Sequence, residues 1–137
     1  MAARLGLPIT THLAETEAEC QAVRERFGTD YLMVYADHGL LQPGAVFAHC
    51  LHLSETEWTR FREAGAVVVH CPDSNYFLGS GNMPVDLVTE REIPWAVGTD
   101  VAAGRSFRVP RTLSFAHDNA RQRGAALSPE ALFWRGT

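Results

Sequence analysis

The sequence predicts an α/β domain built on a parallel sheet, because short apolar runs alternate with helical patterns four times along its 137 residues. Each apolar run leads into an ionisable residue, which is His12, His49, His70 or Asp100 in turn. The intervals between these residues have the length of a strand followed by a crossover helix. The order and spacing therefore indicate consecutive βα units of a barrel or of an open sheet.

The four apolar runs are predicted to be buried strands, since each is short and rich in residues that favour sheets. They cover residues 5–11, 45–48, 66–69 and 93–99. After the first run, Cys20, Val23 and Phe27 recur at the spacing of one helix face, and Gly28 is placed to end that helix.

The other intervals carry recognisable helix signals. Ser54 and Glu57 form a capping box, in which each side chain bonds a free backbone N–H, and it predicts a helix start. Residues 72–82 are predicted to be a loop, and helices are predicted over residues 84–90 and 110–123. Ser128 and Pro129 are typical of the start of a last helix.

Composition excludes several classes of function. The chain is 46% hydrophobic and 20% charged, which is typical of a packed globular domain. Its net charge of −4 leaves no basic surface for nucleic acid. No apolar run is long enough to cross a membrane, and residues 1–6 lack the apolar stretch of a signal peptide. With three widely spaced cysteines expected to be reduced, we expect a cytoplasmic protein.

The ionisable residues at the run ends are predicted to converge, because parallel strands place their carboxyl ends at one edge of the sheet. Imidazoles and a carboxylate suit zinc or iron, and Glu15 follows His12 closely enough to move protons near such a metal. Each residue also has a structural interpretation. A single histidine after a strand is often hydrogen-bonded support, Thr99-Asp100 suits a helix N-cap, and Glu15 suits a helix start.

Several short motifs carry a more specific signal. They are THLAE (11–15), VFAH (46–49) with HL (52–53), HCPDSN (70–75), FLGSG (77–81) and VGTDV (97–101). In this order and spacing, the sequence resembles the amidohydrolase superfamily and, within it, the guanine deaminases. The resemblance runs from about residue 7 to the carboxyl end.

The resemblance implies a metal-dependent (β/α)8 barrel, of which residues 1–137 form a single fragment covering the fifth to eighth βα units. It implies that His12 and Asp100 are metal ligands, that Asp100 also assists catalysis, and that Glu15 is the catalytic proton shuttle. His49 is implied to contact the reacting water or the substrate, and Asn75 is a candidate contact to the purine. The implied cofactor is zinc, with iron as the alternative, and the implied reaction converts guanine or a related purine to its oxo product and ammonia.

The resemblance also implies missing parts, since the family's first-strand His-x-His pair has no counterpart among these residues. We therefore expect weak metal binding and little activity from the chain alone, with a second copy or the amino-terminal half as its partner. Two other functions stay open. One is an aminohydrolase acting on an adenosine-like, triazine or formimino substrate, and the other is a non-catalytic, self-associating half-barrel scaffold.

Overall fold

The computed structural model describes residues 5–137 and contains one parallel sheet of four strands in sequential order. The strands are β1 (Thr10–Leu13), β2 (Val46–His49), β3 (Val67–His70) and β4 (Trp95–Val97). Neighbouring strands pair in parallel throughout, with Thr10 opposite Val46 and Val68 opposite Trp95. The predicted α/β class and parallel sheet are confirmed. Residues 1–4 lie outside the described part of the chain. They belong to the predicted single fragment and to the segment expected to lack a signal peptide.

The strand boundaries differ from the predicted ones. The first strand begins at Thr10, five residues later than expected, and it continues through His12 to Leu13. His49 and His70 are the last residues of their strands, while β4 ends three residues before Asp100. Each apolar run includes residues that lead into the sheet as well as residues that pair in it, so the predicted strands begin too early.

Seven helices lie in the described residues. They are α1 (Glu17–Phe27), α2 (Tyr31–Asp37), α3 (Glu55–Glu63), α4 (Pro72–Leu78), α5 (Val85–Glu90), α6 (Val109–Gln122) and α7 (Pro129–Arg135). The last three match the predicted helices to within one residue at most ends, and Ser128 caps α7 by accepting from the Ala131 N–H.

Helix caps follow the sequence closely. The Ser54 hydroxyl accepts from the Glu57 N–H, and the Glu57 carboxylate accepts from the Ser54 N–H, so the predicted capping box is confirmed. Glu57 also accepts from the Leu32 N–H at 2.9 Å, which ties the start of α2 to the start of α3. Gly28 ends α1 in the left-handed conformation, as predicted. Phe27, however, is 52% exposed, so the predicted apolar face of α1 is wrong at its last position.

Two helices were not expected. Helix α2 fills much of the long interval between the first two strands. Helix α4 occupies most of residues 72–82, which were predicted to be a loop. Its composition of Pro, Asp, Ser and Asn is typical of turns, but Pro72 takes the first-turn position that suits proline, and Gly79 ends the helix with a φ of 71°.

The core lies between the sheet and its helices. Phe47 of β2 is fully buried and packs edge-on against Phe61 of α3, with ring centroids 5.4 Å apart. Trp58, one turn earlier on α3, packs against the same Phe61 ring at 5.9 Å. The three aromatic rings anchor α3 to the sheet.

The edges of the sheet are open in the described part of the chain, since β1 pairs only with β2 and β4 only with β3. Large apolar side chains are exposed in the last helix, where Phe133 is 64% and Trp134 is 80% accessible. No helix within residues 5–137 is both long enough and apolar enough to cross a membrane. The three cysteines are unpaired and buried.

Two phenylalanines near the ends of their helices provide a test of this packing. Phe61→Ala should lower the free energy of unfolding by about 3–5 kcal/mol, because it removes a fully buried ring and leaves a cavity. Phe27→Ala is the matched control and should change it by less than about 0.5 kcal/mol, since that ring is half exposed. Urea unfolding followed by circular dichroism measures both, and equal effects would contradict the assigned core.

Candidate metal centre

Three of the predicted residues meet at the carboxyl ends of the strands. The ligand atoms of His12, His49 and Asp100 all lie within 4.8 Å of one another. The rings of His12 and His49 stack with centroids 5.6 Å apart and planes inclined by 19°. The predicted convergence is therefore confirmed for these three residues.

His49 reaches this group because the backbone changes direction at the end of β2. In the strand register, His12 lies opposite Ala48, so regular alternation would send the next side chain, that of His49, to the other face. His49 instead has a φ of 71°, and Cys50 has a φ of 54°. This left-handed turn brings the His49 ring to the side occupied by His12.

Left-handed backbone also occurs at Asp100 and directly before Glu15. Asp100 itself has a φ of 46°, and Ala14, directly before Glu15, has a φ of 49°. Such conformations are uncommon outside glycine and cost free energy, so they persist only where the surrounding structure holds them. The turn at Ala14 is held by the segment that follows β2, because the Ala14 carbonyl accepts from the Leu51 N–H at 3.0 Å.

The hydrogen bonds of His49 define its chemistry. Its Nδ1–H donates to the Asn75 Oδ1 at 2.8 Å, and both side chains are only 1% exposed. Donation from Nδ1 leaves the lone pair of the neutral ring on Nε2. That Nε2 lies 3.6 Å from the Glu15 Oε2 and 4.0 Å from the Asp100 Oδ2. His49 therefore presents a basic nitrogen to the space between two carboxylates.

Glu15 is held by a residue that sequence reasoning did not single out. Its Oε1 accepts from the Ser80 hydroxyl at 3.1 Å, which leaves Oε2 to face His49. The Ser80 backbone is fixed in turn, because its carbonyl accepts from His52 Nε2 at 2.8 Å and its N–H donates to the Asn75 carbonyl. The sequence signal for these contacts was the Gly-Ser-Gly run, in which Gly81 has a φ of 133° and lies against the His52 ring.

His70 does not join the group, so the expectation that it converges with the other three residues is wrong. It keeps strand alternation with Val68, and both side chains are fully buried. Its ring packs edge-on against Trp95 at 6.4 Å, and neither ring nitrogen has a hydrogen-bond partner. Burial, with a smaller contribution from His49, lowers the pKa of His70 to about 3.

The nearby cysteines are also unsuited to metal or nucleophilic chemistry. Burial raises the pKa of Cys71 to about 12, and the negative charge of Asp100 acts in the same direction. Burial likewise raises the pKa of Cys50 well above its ordinary value. Thiols with raised pKa values stay protonated and inert at neutral pH. The candidate donors are therefore the two imidazoles and the carboxylate.

This donor set fits a divalent metal. Two imidazole nitrogens and one carboxylate oxygen are ligands that zinc and iron accept, and three protein donors leave a coordination position open for water. His49 is buried, while Asp100 is partly accessible and His12 is exposed, so the group opens on one side to solvent. The residues present thus fit a catalytic metal centre.

Comparisons with known proteins agree with this geometry. A model of the amidohydrolase family matches residues 1–133. The guanine deaminase of Escherichia coli is 35% identical over 131 residues, which cover 94% of this chain and 30% of that protein.

Two solved structures extend the comparison. The structure of guanine deaminase from C. acetobutylicum with bound guanine superposes with a TM-score of 0.95 at 29% identity, covering 99% of this chain and 35% of that one. An adenosine deaminase from Xanthomonas campestris with bound zinc superposes with a TM-score of 0.84 at 27% identity, covering 99% and 32%. The chain thus spans about a third of the length of the proteins it matches, and its sheet corresponds to part of their barrel, as predicted.

Titration of His70 offers a test of its burial. Its pKa of about 3 in the folded state lies below the value of about 6.5 expected after unfolding, so the unfolded state binds more protons between these values. Stability should therefore fall as the pH drops below about 6.5, by about 1.4 kcal/mol per pH unit from this residue until about pH 3. Urea unfolding of the wild type and of His70→Leu across this range measures it. Identical pH dependence in both proteins would contradict the burial.

Proposed function

The chain belongs to the amidohydrolase family, and on that premise we propose that it carries the carboxy-terminal part of a guanine deaminase centre. The reaction is the hydrolysis of guanine to xanthine and ammonia. The observation that carries the proposal is the meeting of His12, His49 and Asp100 within 4.8 Å, with Glu15 placed beside His49. A scaffold without catalysis gives no reason for four ionisable side chains to converge.

His12 and Asp100 are the residues that we propose to hold the metal, which we take to be zinc, with iron as the alternative. Their donor types and their distances from one another suit such an ion. The metal, when bound, would supply Lewis-acid activation of a water molecule. The Asp100 Oδ2 lies 4.0 Å from the His49 Nε2, where this carboxylate could also accept a proton.

Glu15 is proposed to move the protons. In the overall reaction, the oxygen of water forms a bond to the amino-bearing carbon of guanine, and the bond from that carbon to the amine breaks. Glu15 carries one proton of the water to the adjacent ring nitrogen, where it stays in the product, and carries the second proton to the amine, which leaves as ammonia. Glu15 suits this work because Ser80 fixes one of its oxygens at 3.1 Å while the other stays free beside His49.

His49 and Asn75 are proposed to orient the substrate. The basic Nε2 of His49 can accept a hydrogen bond from the attacking water or from the reacting end of the purine. Asn75 holds the His49 ring through Nδ1, and both side chains are 1% exposed. A direct contact between Asn75 and the purine edge stays a prediction.

A second aminohydrolase function has one observation in its favour. The zinc-containing adenosine deaminase from Xanthomonas campestris superposes on 99% of this chain with a TM-score of 0.84. The residues proposed here manage metal and protons and do not by themselves select the purine. A substrate panel of guanine and adenosine separates the two functions.

The open sheet leads to a proposal about partners. Both β1 and β4 have an unpaired edge within the described residues, and exposed parallel edges attract further strands. We propose that these edges pair with strands from the other half of a barrel or from a second copy of the chain. Guanine or a related purine is the proposed substrate, and neither nucleic acid nor membrane is a proposed partner.

The role of Glu15 can be tested in a completed barrel, made by grafting residues 5–137 in place of the aligned segment of the Escherichia coli enzyme. Glu15→Gln should lower guanine turnover by about 100-fold to 10,000-fold, because it removes the proton carrier. Zinc content should stay unchanged. Glu17→Gln, at a side chain that is 89% exposed, is the matched control and should keep full turnover.

Xanthine and ammonia release measure these activities. Turnover at the wild-type level in Glu15→Gln would remove Glu15 from the mechanism. A folded, zinc-loaded hybrid that leaves guanine unchanged would refute the proposed reaction, and faster turnover of adenosine than of guanine would favour the second function.

The metal ligands make a separate prediction. His12→Ala and Asp100→Ala should each lose most of the zinc bound by the hybrid, because each removes one of the two proposed ligands. His117→Ala, at an exposed histidine on α6, should keep it. Mass spectrometry of total metal measures zinc per chain, and unchanged zinc in both ligand variants would show the assignment to be wrong.

A further inference from the structure

An ion pair that the proposed reaction does not use anchors the loop that follows β4. Asp73 lies on α4 and is 1% exposed, and Arg105 lies in the loop five residues after Asp100. The Asp73 carboxylate accepts three hydrogen bonds from this single residue, which are from the Arg105 backbone N–H at 2.8 Å, from Nε at 2.8 Å and from Nη2 at 2.6 Å. We refer to this pair as the Asp73–Arg105 clamp.

The loop that carries Asp100 has an unfavourable backbone. Asp100 has a φ of 46° and Ala102 has a φ of 97°. Residues other than glycine rarely adopt these positive φ angles. The loop gains little from burial, since Val101 is 47% exposed and Phe107 is 82% exposed. Something other than a packed core must therefore hold it.

Arg105 is well placed to do so because it follows the tightest point of the loop. The Gly104 N–H donates to the Asp100 carbonyl at 2.5 Å, and a Cβ at Gly104 would lie 1.9 Å from the Thr99 carbonyl oxygen. The chain thus folds back on Asp100 immediately before Arg105. Fixing the backbone N–H of Arg105 against Asp73 fixes the loop next to Asp100.

Two aromatic rings complete the clamp. The Arg105 guanidinium lies 5.5 Å from the centroid of Phe77 on α4 and 5.2 Å from that of Phe115 on α6. Contacts between a cation and aromatic faces are attractive, and they also keep water from one side of the pair. Arginine is suited to this position because its planar group can fork to a carboxylate and stack on rings at once.

The same helix also holds His49. Asn75, two residues after Asp73, accepts the hydrogen bond from His49 Nδ1, so α4 contacts one of the clustered residues directly and the loop of another through Arg105. We propose that Asp73 and Arg105 are positioning residues. Through α4, they set the distance between the His49 Nε2 and the Asp100 Oδ2, which is 4.0 Å. The catalytic meaning of this separation rests on the proposed function, whereas the mechanical role of the clamp does not.

The test is amide hydrogen exchange measured by NMR on the 137-residue chain. The informative amides are Gly104, which donates to the Asp100 carbonyl, and Val68, which donates to the Pro94 carbonyl in the sheet. In the double variant Asp73→Asn/Arg105→Gln, the Gly104 amide should exchange at least about tenfold faster, while the Val68 amide keeps its rate. The double change is chosen because it leaves no unpaired charge buried at residue 73.

Arg123→Gln is the matched control. Arg123 makes a similar forked ion pair with Asp86, with Nε 2.6 Å from Oδ1, but that pair joins α5 to the end of α6. Its loss should leave the Gly104 amide unchanged. Unchanged Gly104 exchange in the double variant, or an equal increase in the control, would overturn the proposal.

A milder variant covers the case in which the double variant does not fold. Arg105→Lys keeps the charge but loses the fork and the aromatic stacking, so it should raise Gly104 exchange by a smaller factor than the double change would. Wild-type exchange in Arg105→Lys would also overturn the proposal.

Zinc titration separates this proposal from the proposed function. If the clamp positions Asp100, its removal in the double variant should lower zinc affinity by about tenfold. The titration uses the hybrid barrel. If the wild-type hybrid binds no zinc but the Gly104 amide of the chain still responds to the double change, the clamp stands and the metal site fails. If the wild type binds zinc and the double variant binds it equally well, the clamp does not position Asp100 for the metal.

Discussion

The hydrogen bond between His49 Nδ1 and the Asn75 amide oxygen is the interaction on which the rest of the centre depends. It fixes the imidazole tautomer, and it does so in a fully buried position where the ring cannot exchange this partner for water. The Nε2 then has to face the two carboxylates. The other tautomer, with its proton on Nε2, would present an N–H donor to the same space and could not accept a hydrogen bond there from water or substrate.

Left-handed backbone turns recur where the functional side chains leave the sheet. A strand can deliver only alternate side chains to one face, so His12 and His49, which lie one step apart in the register, would point to opposite faces of a regular sheet. Positive φ values at Ala14, His49 and Asp100 remove this restriction. Their cost is offset locally by hydrogen bonds between neighbouring strand ends, as with the Cys50 N–H, directly after β2, which donates to the Leu13 carbonyl at 2.8 Å.

The sequence predicts the sheet and the capped helices, because apolar runs and caps are local signals. Of the four residues predicted to converge, three do. The sequence does not predict α4, since Pro72, Asp73 and Asn75 have the composition of a turn, and the partners that hold Asp73 and Asn75 in a helix lie elsewhere in the chain. His70 shows the same limit. His70 and His49 are both the last residues of their strands, so the sequence pattern does not distinguish them. Their side chains point differently because the backbone turns at His49, and that turn depends on contacts with β1.

The open sheet and the incomplete donor set can be understood together. The centre offers three donors, with His12 exposed, and it lies at one end of a sheet whose two outer strands each have a free edge. Strands that pair with these edges would bring their own carboxyl ends to the same side of the sheet, where further ligands can reach the metal. Metal affinity and protection of the sheet edges should therefore rise together, because one set of strands supplies both. The same strands would cover His12, which is exposed in the described residues.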